Sequence, residues 1–208
     1  MKKKIIIWGC ALLFLGSNNN AQAQAFNGQG SKYTSIGWNI SEINCWYAEN
    51  GVGLKGRYAP VFNGISLQHE RGLGDYGGLG FSLGAGFANN VYSSIFYRNA
   101  LFGIPNDDYW SFVVPVGVQY NFHALQWVQD ITETDLGGEK VDVFVGLGIG
   151  AGPAFLVPRY EGDEGEIGYA FFGDAQLGLR YYPKTNVGFY AQVGYGRSLL
   201  NVGVVFHK

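Results

Sequence analysis

The sequence predicts an all-β fold, a closed, up-and-down, antiparallel transmembrane β-barrel of eight strands, and three observations predict it. Apolar residues recur at every second position through most of the chain beyond residue 33, which is the period of a strand with two unlike faces. The opposite face is mostly Gly, Ser, Asn and Gln and carries almost no charge. The chain opens with an export leader yet holds no later apolar run long enough for a membrane helix, which takes about 20 residues.

The leader comes first. Met1-Lys2-Lys3-Lys4 precedes an apolar run from Ile5 to Leu15, then Ser17-Asn18-Asn19-Asn20 and Ala21-Gln22-Ala23. A basic start, a short apolar centre and a small-x-small site make a secretory signal peptide. The expected division is a leader over 1–23, with Ala23-Gln24-Ala25 offering a second cleavage option after 25, and one barrel domain over 26–208. Only five residues separate Cys10 from the lysines, a placement that favours a plain leader over a lipoprotein site.

Composition narrows the function classes. Without Lys2, Lys3 and Lys4 the chain keeps 11 basic residues against 16 acidic ones, about −5, so no nucleic-acid partner is expected, because such a partner calls for a basic patch. Cys45 is then the only remaining cysteine, so no disulfide framework is available. No base accompanies it that would make it a nucleophile. The 33 glycines and 34 aromatics exclude disorder and favour strands and turns.

The strands follow in order. Ile36, Trp38 and Ile40 oppose Ser35, Gly37 and Asn39; Ile65, Leu67 and His69 oppose Ser66, Gln68 and Glu70; Leu79 to Phe87 opposes Gly78 to Gly86. Phe112 to Phe122 at even positions opposes Ser111 to His123 at odd ones, with Pro115 marking an expected bulge. Val141, Val143, Val145, Leu147, Ile149 and Ala151 oppose Asp142, Phe144 and four glycines. Phe171 to Tyr181 opposes Phe172 to Tyr182, Val187 to Tyr195 opposes Gly188 to Gly196, and Leu200 to Phe206 opposes Asn201 to Val205. Residues 44–62 have room for a further short hairpin.

The glycines of V-G-L-G-I-G-A-G (145–152) do not form a phosphate cradle. Such a loop opens a helix and carries a lysine, whereas Gly152 leads into Pro153-Ala154-Phe155-Leu156-Val157-Pro158. They read as erased side chains instead. A soluble sandwich would set Lys and Glu on its outer faces, and a lipocalin-like barrel would turn its apolar face inward. Here the small polar face fits the cramped interior of about eight strands, where glycine leaves room for inward Phe144, Arg180 and Tyr190. The apolar face then meets lipid, where backbone groups must be paired by closure. Tyr109 and Trp110, Tyr120 and Phe122, Tyr169 and Phe171, and Tyr181 and Tyr182 fall near strand ends, as an interfacial aromatic girdle requires.

Four segments, Tyr120-Asn121-Phe122-His123, Val141 to Gly148, Leu177 to Tyr182 and Gly194 to Gly203, resemble in their order the small eight-stranded outer-membrane β-barrel proteins of Gram-negative bacteria, the OmpA- and OmpW-like, porin-type barrels. The resemblance covers about the C-terminal half. It implies residence in the cell outer membrane, outer-membrane lipid and lipopolysaccharide as surroundings, handling by the barrel-insertion machinery, and a monomer. The family's last strand commonly ends in an aromatic that serves as the insertion signal; here Phe206 is followed by His207 and Lys208.

With both termini periplasmic, the outward loops are expected at 41–63, 90–109, 155–168 and 197–199, and the periplasmic links at 72–77, 124–140 and 183–186, with a short helix over 124–131. Candidate functional residues are few. Inward Glu70, Asp142, Asp174, Gln176 and Arg180 are expected to form a polar lumen network that plugs the bore or, alternatively, gates it. Glu161, Asp163, Glu164 and Glu166 form an outward acidic loop that lacks the ligand order of a dedicated cation site. Asp107-Asp108 reads as a turn. None of His69, His123 and His207 falls in an outward loop, so a surface hydrolase with a His base lacks support. No catalytic, metal or cofactor set is expected. The reading is a non-enzymatic barrel with a structural or surface-interaction role, the alternative being a narrow channel for ions or small apolar solutes. A lipid-modifying enzyme is the weakest reading.

Overall fold

The computed structural model describes residues 25–42, 45–49, 54–58, 61–89, 109–158, 165–184 and 186–208. The strands are β1 (Lys32–Glu42), β2 (Cys45–Glu49), β3 (Leu54–Tyr58), β4 (Val61–Gly72), β5 (Gly77–Asn89), β6 (Tyr109–Val113) and β7 (Val116–His123). After the helix α1 (Ala124–Thr132) come β8 (Val141–Pro158), β9 (Glu166–Tyr181), β10 (Val187–Tyr195) and β11 (Leu200–His207). Eight staves, with β6 and β7 forming one of them, pair antiparallel around a closed ring. β1 and β11 close it, from Tyr33↔His207 to Ile40↔Leu200. The backbones of Lys32 and Lys208 then exchange two further hydrogen bonds at the rim (3.2 and 2.9 Å).

The alternation sorts the faces as expected, with the usual relation of core and surface inverted. Ile36, Leu67, Val118, Leu147, Leu179 and Val193 are exposed, while Ser35, Ser66, Gln119, Asp142, Arg180 and Gln192 are buried. This outward apolar face is a lipid face, and closure leaves no strand edge to satisfy within the bilayer. The chain is therefore an outer-membrane type of β-barrel. Its girdle includes outward Tyr120, Tyr169, Phe171 and Tyr181, but Tyr182 turns inward and is buried, because parity places it opposite Tyr181.

The inward glycines make room for large neighbours, as the pattern implies. A Cβ on Gly178 would overlap the Phe144 ring, one on Gly150 the Phe172 ring, and one on Gly37 the Tyr190 hydroxyl.

Two local expectations are corrected. Pro115 makes no bulge: Val113 pairs with Gly86 and Ala154, and Val116 with Leu83 and Ala151, so two residues separate the pairs on all three strands. The ladder merely skips the missing N–H, while Gly84 N–H donates to the Pro115 carbonyl (2.8 Å) and Val114 N–H to that of Pro153 (3.1 Å). The expected 155–168 loop is shorter, because β8 and β9 run on to Pro158 and from Glu166. At 18 and 16 residues they outreach the 9–11 that a tilted strand needs to cross a bilayer. Within the outward segment 41–63, where the sequence leaves room for a short hairpin over 44–62, β2 and β3 pair as one. That hairpin extends the sheet along the outer edge of β9, from Trp46↔Phe171 to Glu49↔Gly168, above the point where β10 stops at Tyr195↔Ala175. The β8 edge is likewise continued by β6, from Tyr109↔Pro158. The expected helix in the 124–140 link is present as α1.

Candidate functional site: the charged lumen

The barrel gathers its buried charge at two heights. Near the rim that carries the termini, β8 and β9 place Asp142 directly opposite Arg180. β4 brings Glu70 to the same level, and β7 ends on His123. The Arg180 guanidinium donates through Nη1 to Asp142 Oδ2 (3.1 Å) and through Nη2 to Glu70 Oε2. His123 bridges the same two carboxylates from the other side, Nδ1 to Asp142 Oδ1 and Nε2 to Glu70 Oε1, both at 2.8 Å. The four groups form a closed ring of contacts. An imidazole donates to both carboxylates only with both nitrogens protonated, and in that form the ring sums to zero charge.

Aromatic rings enclose this cluster. The Arg180 guanidinium carbon lies 4.3 Å from the Phe144 ring centroid and 4.8 Å from that of Tyr33, within cation–π range. Phe26 stacks on His123, with centroids 3.4 Å apart. It arrives on the segment 25–31, which folds under the barrel: Ala25 N–H donates to Gly138 O, Asn27 N–H to the Tyr33 hydroxyl and Gly30 N–H to Gly72 O. Ala25, Phe26, Tyr33 and Tyr182 make an apolar floor there.

Toward the other end, Arg197 reaches back into the lumen from the β10–β11 turn. Its Nη2 lies 3.3 Å from Asp174 Oδ2 and donates to Gln119 Oε1 (3.2 Å) and Gln176 Oε1 (3.1 Å). Gln176 in turn donates to Asp174 (2.9 Å). Between the clusters, Gln119 donates to Asn121, and Asn121 to Glu70 Oε2 (2.7 Å). An unbroken side-chain chain thus runs Arg197–Gln119–Asn121–Glu70–Arg180–Asp142. Tyr190, Asn201, Ser66, Gln192 and Gln68 fill the remaining section with their own hydrogen bonds. A cavity among Ser35, Gln68, Ser82, Asn121 and Arg197 measures about 10 Å³, room for roughly one water.

Of the residues singled out from sequence, Glu70, Asp142 and Arg180 meet at one level and Asp174 and Gln176 at the other, and all five side chains are buried. His123 and Arg197 join them unanticipated. His123 shares its parity with Gln119 and Asn121, which was the available signal; Arg197 sits in a turn, outside any alternation. Glu161, Asp163, Glu164 and Asp107-Asp108 lie outside the described residues, and Glu166 opens β9 opposite Leu156. Among the described residues no His, Cys, Asp and Glu group has a metal-holding arrangement.

No family model and no curated protein matches the chain. Among solved structures it is similar to the outer membrane protein Ail of Yersinia pestis, at 17% identity and TM-score 0.44, over 86% of this chain and 100% of that one. It is also similar to the N-terminal β-barrel domain of Pseudomonas aeruginosa OprF, at 15% and 0.47, over 88% and 100%. Neisserial surface protein A is similar at 10% and 0.48, over 86% and 99%.

Proposed function

We propose that this outer-membrane barrel is a closed, non-enzymatic scaffold whose lumen is structural and whose outer loops do its work at the cell surface. The observation that carries this reading is the continuous hydrogen-bonded chain from Arg197 to Asp142 across the lumen, floored by Phe26, with a cavity beside it that holds about one water. An ion would have to displace paired buried charges to pass. In planar bilayers the purified barrel is therefore expected to add no steady single-channel current. Sizeable steady currents would establish the narrow-channel reading in its place.

On this reading the surroundings are outer-membrane lipid and lipopolysaccharide, insertion is by the barrel-insertion machinery, and the barrel is a monomer, because its closed wall offers no strand edge for pairing within the bilayer. The packing of the floor supports cleavage of the leader after Ala23: Ala25 and Phe26 are both buried, and Ala25 N–H is held by Gly138 O at 3.0 Å. Cleavage after 25 would remove that bond and put a charged amine on Phe26. Intact mass of the membrane-purified protein should match a chain beginning at Gln24; a chain beginning at Phe26 refutes this assignment.

A further inference from the structure

We propose that α1 is a lipid-seated anchor, lying in the headgroup region of the periplasmic leaflet with Trp127 and Ile131 inserted, so that the barrel's apolar belt continues past the end of β7. This rests on the barrel's placement in the membrane and is independent of whether the lumen is closed.

The sequence ALQWVQDIT forms a nine-residue helix, yet the helix buries none of its residues fully against the barrel. Trp127 is 43% and Ile131 62% exposed. Four positions apart, they share one helical face. The Trp127 ring lies 5.9 Å from the ring of Phe122. Phe122 has the outward parity of β7, shared with exposed Val118 and Tyr120, so the lipid-facing surface passes from the strand onto the helix without a polar break.

The other flank is turned to the barrel's own rim. Gln126 donates to Asp130 (3.2 Å), and the Asp130 carboxylate accepts from the Tyr76 hydroxyl of the β4–β5 turn, holding that phenol's pKa above its ordinary value. A Cβ on Gly138 would overlap the Gln129 side chain, which places Gln129 against the link that returns to β8. These contacts fix the roll of the helix and leave Trp127 and Ile131 on the bilayer side.

The side chains also specify the occupant. Asp130 is the helix's only charged residue, so attraction to anionic headgroups has no cation to act through, and apolar insertion beside a Trp suited to the interface is what remains. The partner is accordingly a zwitterionic phospholipid surface. Helices of this kind sit about 5–10 Å into the headgroup and acyl boundary.

The test uses the mature chain in zwitterionic phosphatidylcholine–phosphatidylethanolamine vesicles, with Cys45→Ser as background and a nitroxide on Ile131→Cys or, as an aqueous reference, on exposed Glu139→Cys. The label at 131 should collide several-fold more readily with oxygen than with a water-soluble nickel chelate, and the label at 139 should show the reverse. Equal nickel access at both positions would overturn the proposal, and would leave the helix to water or to a protein partner. Trp127→Phe gives a second measurement that needs no label. The fluorescence lost with Trp127 should belong to the part quenched by lipids brominated near the headgroup, to which lipid-facing Trp38 also contributes; loss of an unquenched part would also overturn it.

Discussion

Arg180→Met is expected to destabilise the folded barrel by about 3–5 kcal/mol, the cost of removing one partner from a buried ion pair. Arg180 is 2% exposed and donates to both Asp142 and Glu70. Without it, two carboxylates face a single His123 in a space with room for about one water. Methionine keeps much of the volume between the Phe144 and Tyr33 rings, so the loss reports charge rather than a void. Urea unfolding from lipid vesicles, followed by the heat-dependent gel shift of folded barrels, gives the midpoint. The triple change Arg180→Met, Glu70→Gln, Asp142→Asn should recover much of the loss, since neutral partners no longer leave an unpaired charge. A single variant with an unchanged midpoint would show that the ring of contacts does not hold the barrel.

The barrel was legible because a lipid-facing strand obeys one rule over its whole length. Val141 to Ala151 alternates so strictly that face, closure and the meaning of its glycines all follow from the period. Parity also placed Glu70, Asp142, Asp174, Gln176 and Arg180 inside. Parity says nothing of height, however, and height depends on the stagger between strands. That is why two separate clusters were not distinguishable from one, and why the bridge made by His123 was missed. Arg197 lies in a turn kept tight by Gly196 at φ 113°, where no alternation applies. Phe26 was hidden differently, since it sits beside the leader, where sequence reasoning stops at the cleavage site. Pro115 misled because a missing N–H can be absorbed either by a bulge or by a gap, and only the pairing of Val113 and Val116 decides between them. The long ends of β8 and β9 were missed although they keep the alternation, with Ala154 and Ala170 buried and Val157, Ile167 and Tyr169 exposed, because two prolines in β8 and the acidic run ahead of β9 read as loop.

Leu147→Arg is expected to cost roughly 2–4 kcal/mol, the range for a basic side chain on the lipid face at the bilayer midplane. Leu147 is 64% exposed between outward Val145 and Ile149, and it pairs with Tyr120 on one side and Ala175 on the other. It stands near the middle of Val141 to Ala151, a span of about the length a tilted strand needs to cross the bilayer. In a soluble protein such an exposed leucine would accept arginine at almost no cost, so the size of the effect measures lipid contact directly. Gln176→Leu is the matched inward control. Gln176 is 3% exposed, donating to Asp174 and accepting from Arg197, so its loss leaves Arg197 one acceptor short and costs about 1–3 kcal/mol. That cost should appear as a lower urea midpoint in a barrel that still inserts. Leu147→Arg should instead slow or block insertion into vesicles, and the defect should fade when arginine is moved to outward positions nearer the rims, such as Leu179 beside the terminal rim, where the penalty falls to roughly 0–1 kcal/mol. If Leu147→Arg inserts at the parental rate while Gln176→Leu fails, the two faces are reversed and the lumen described above is the outer surface.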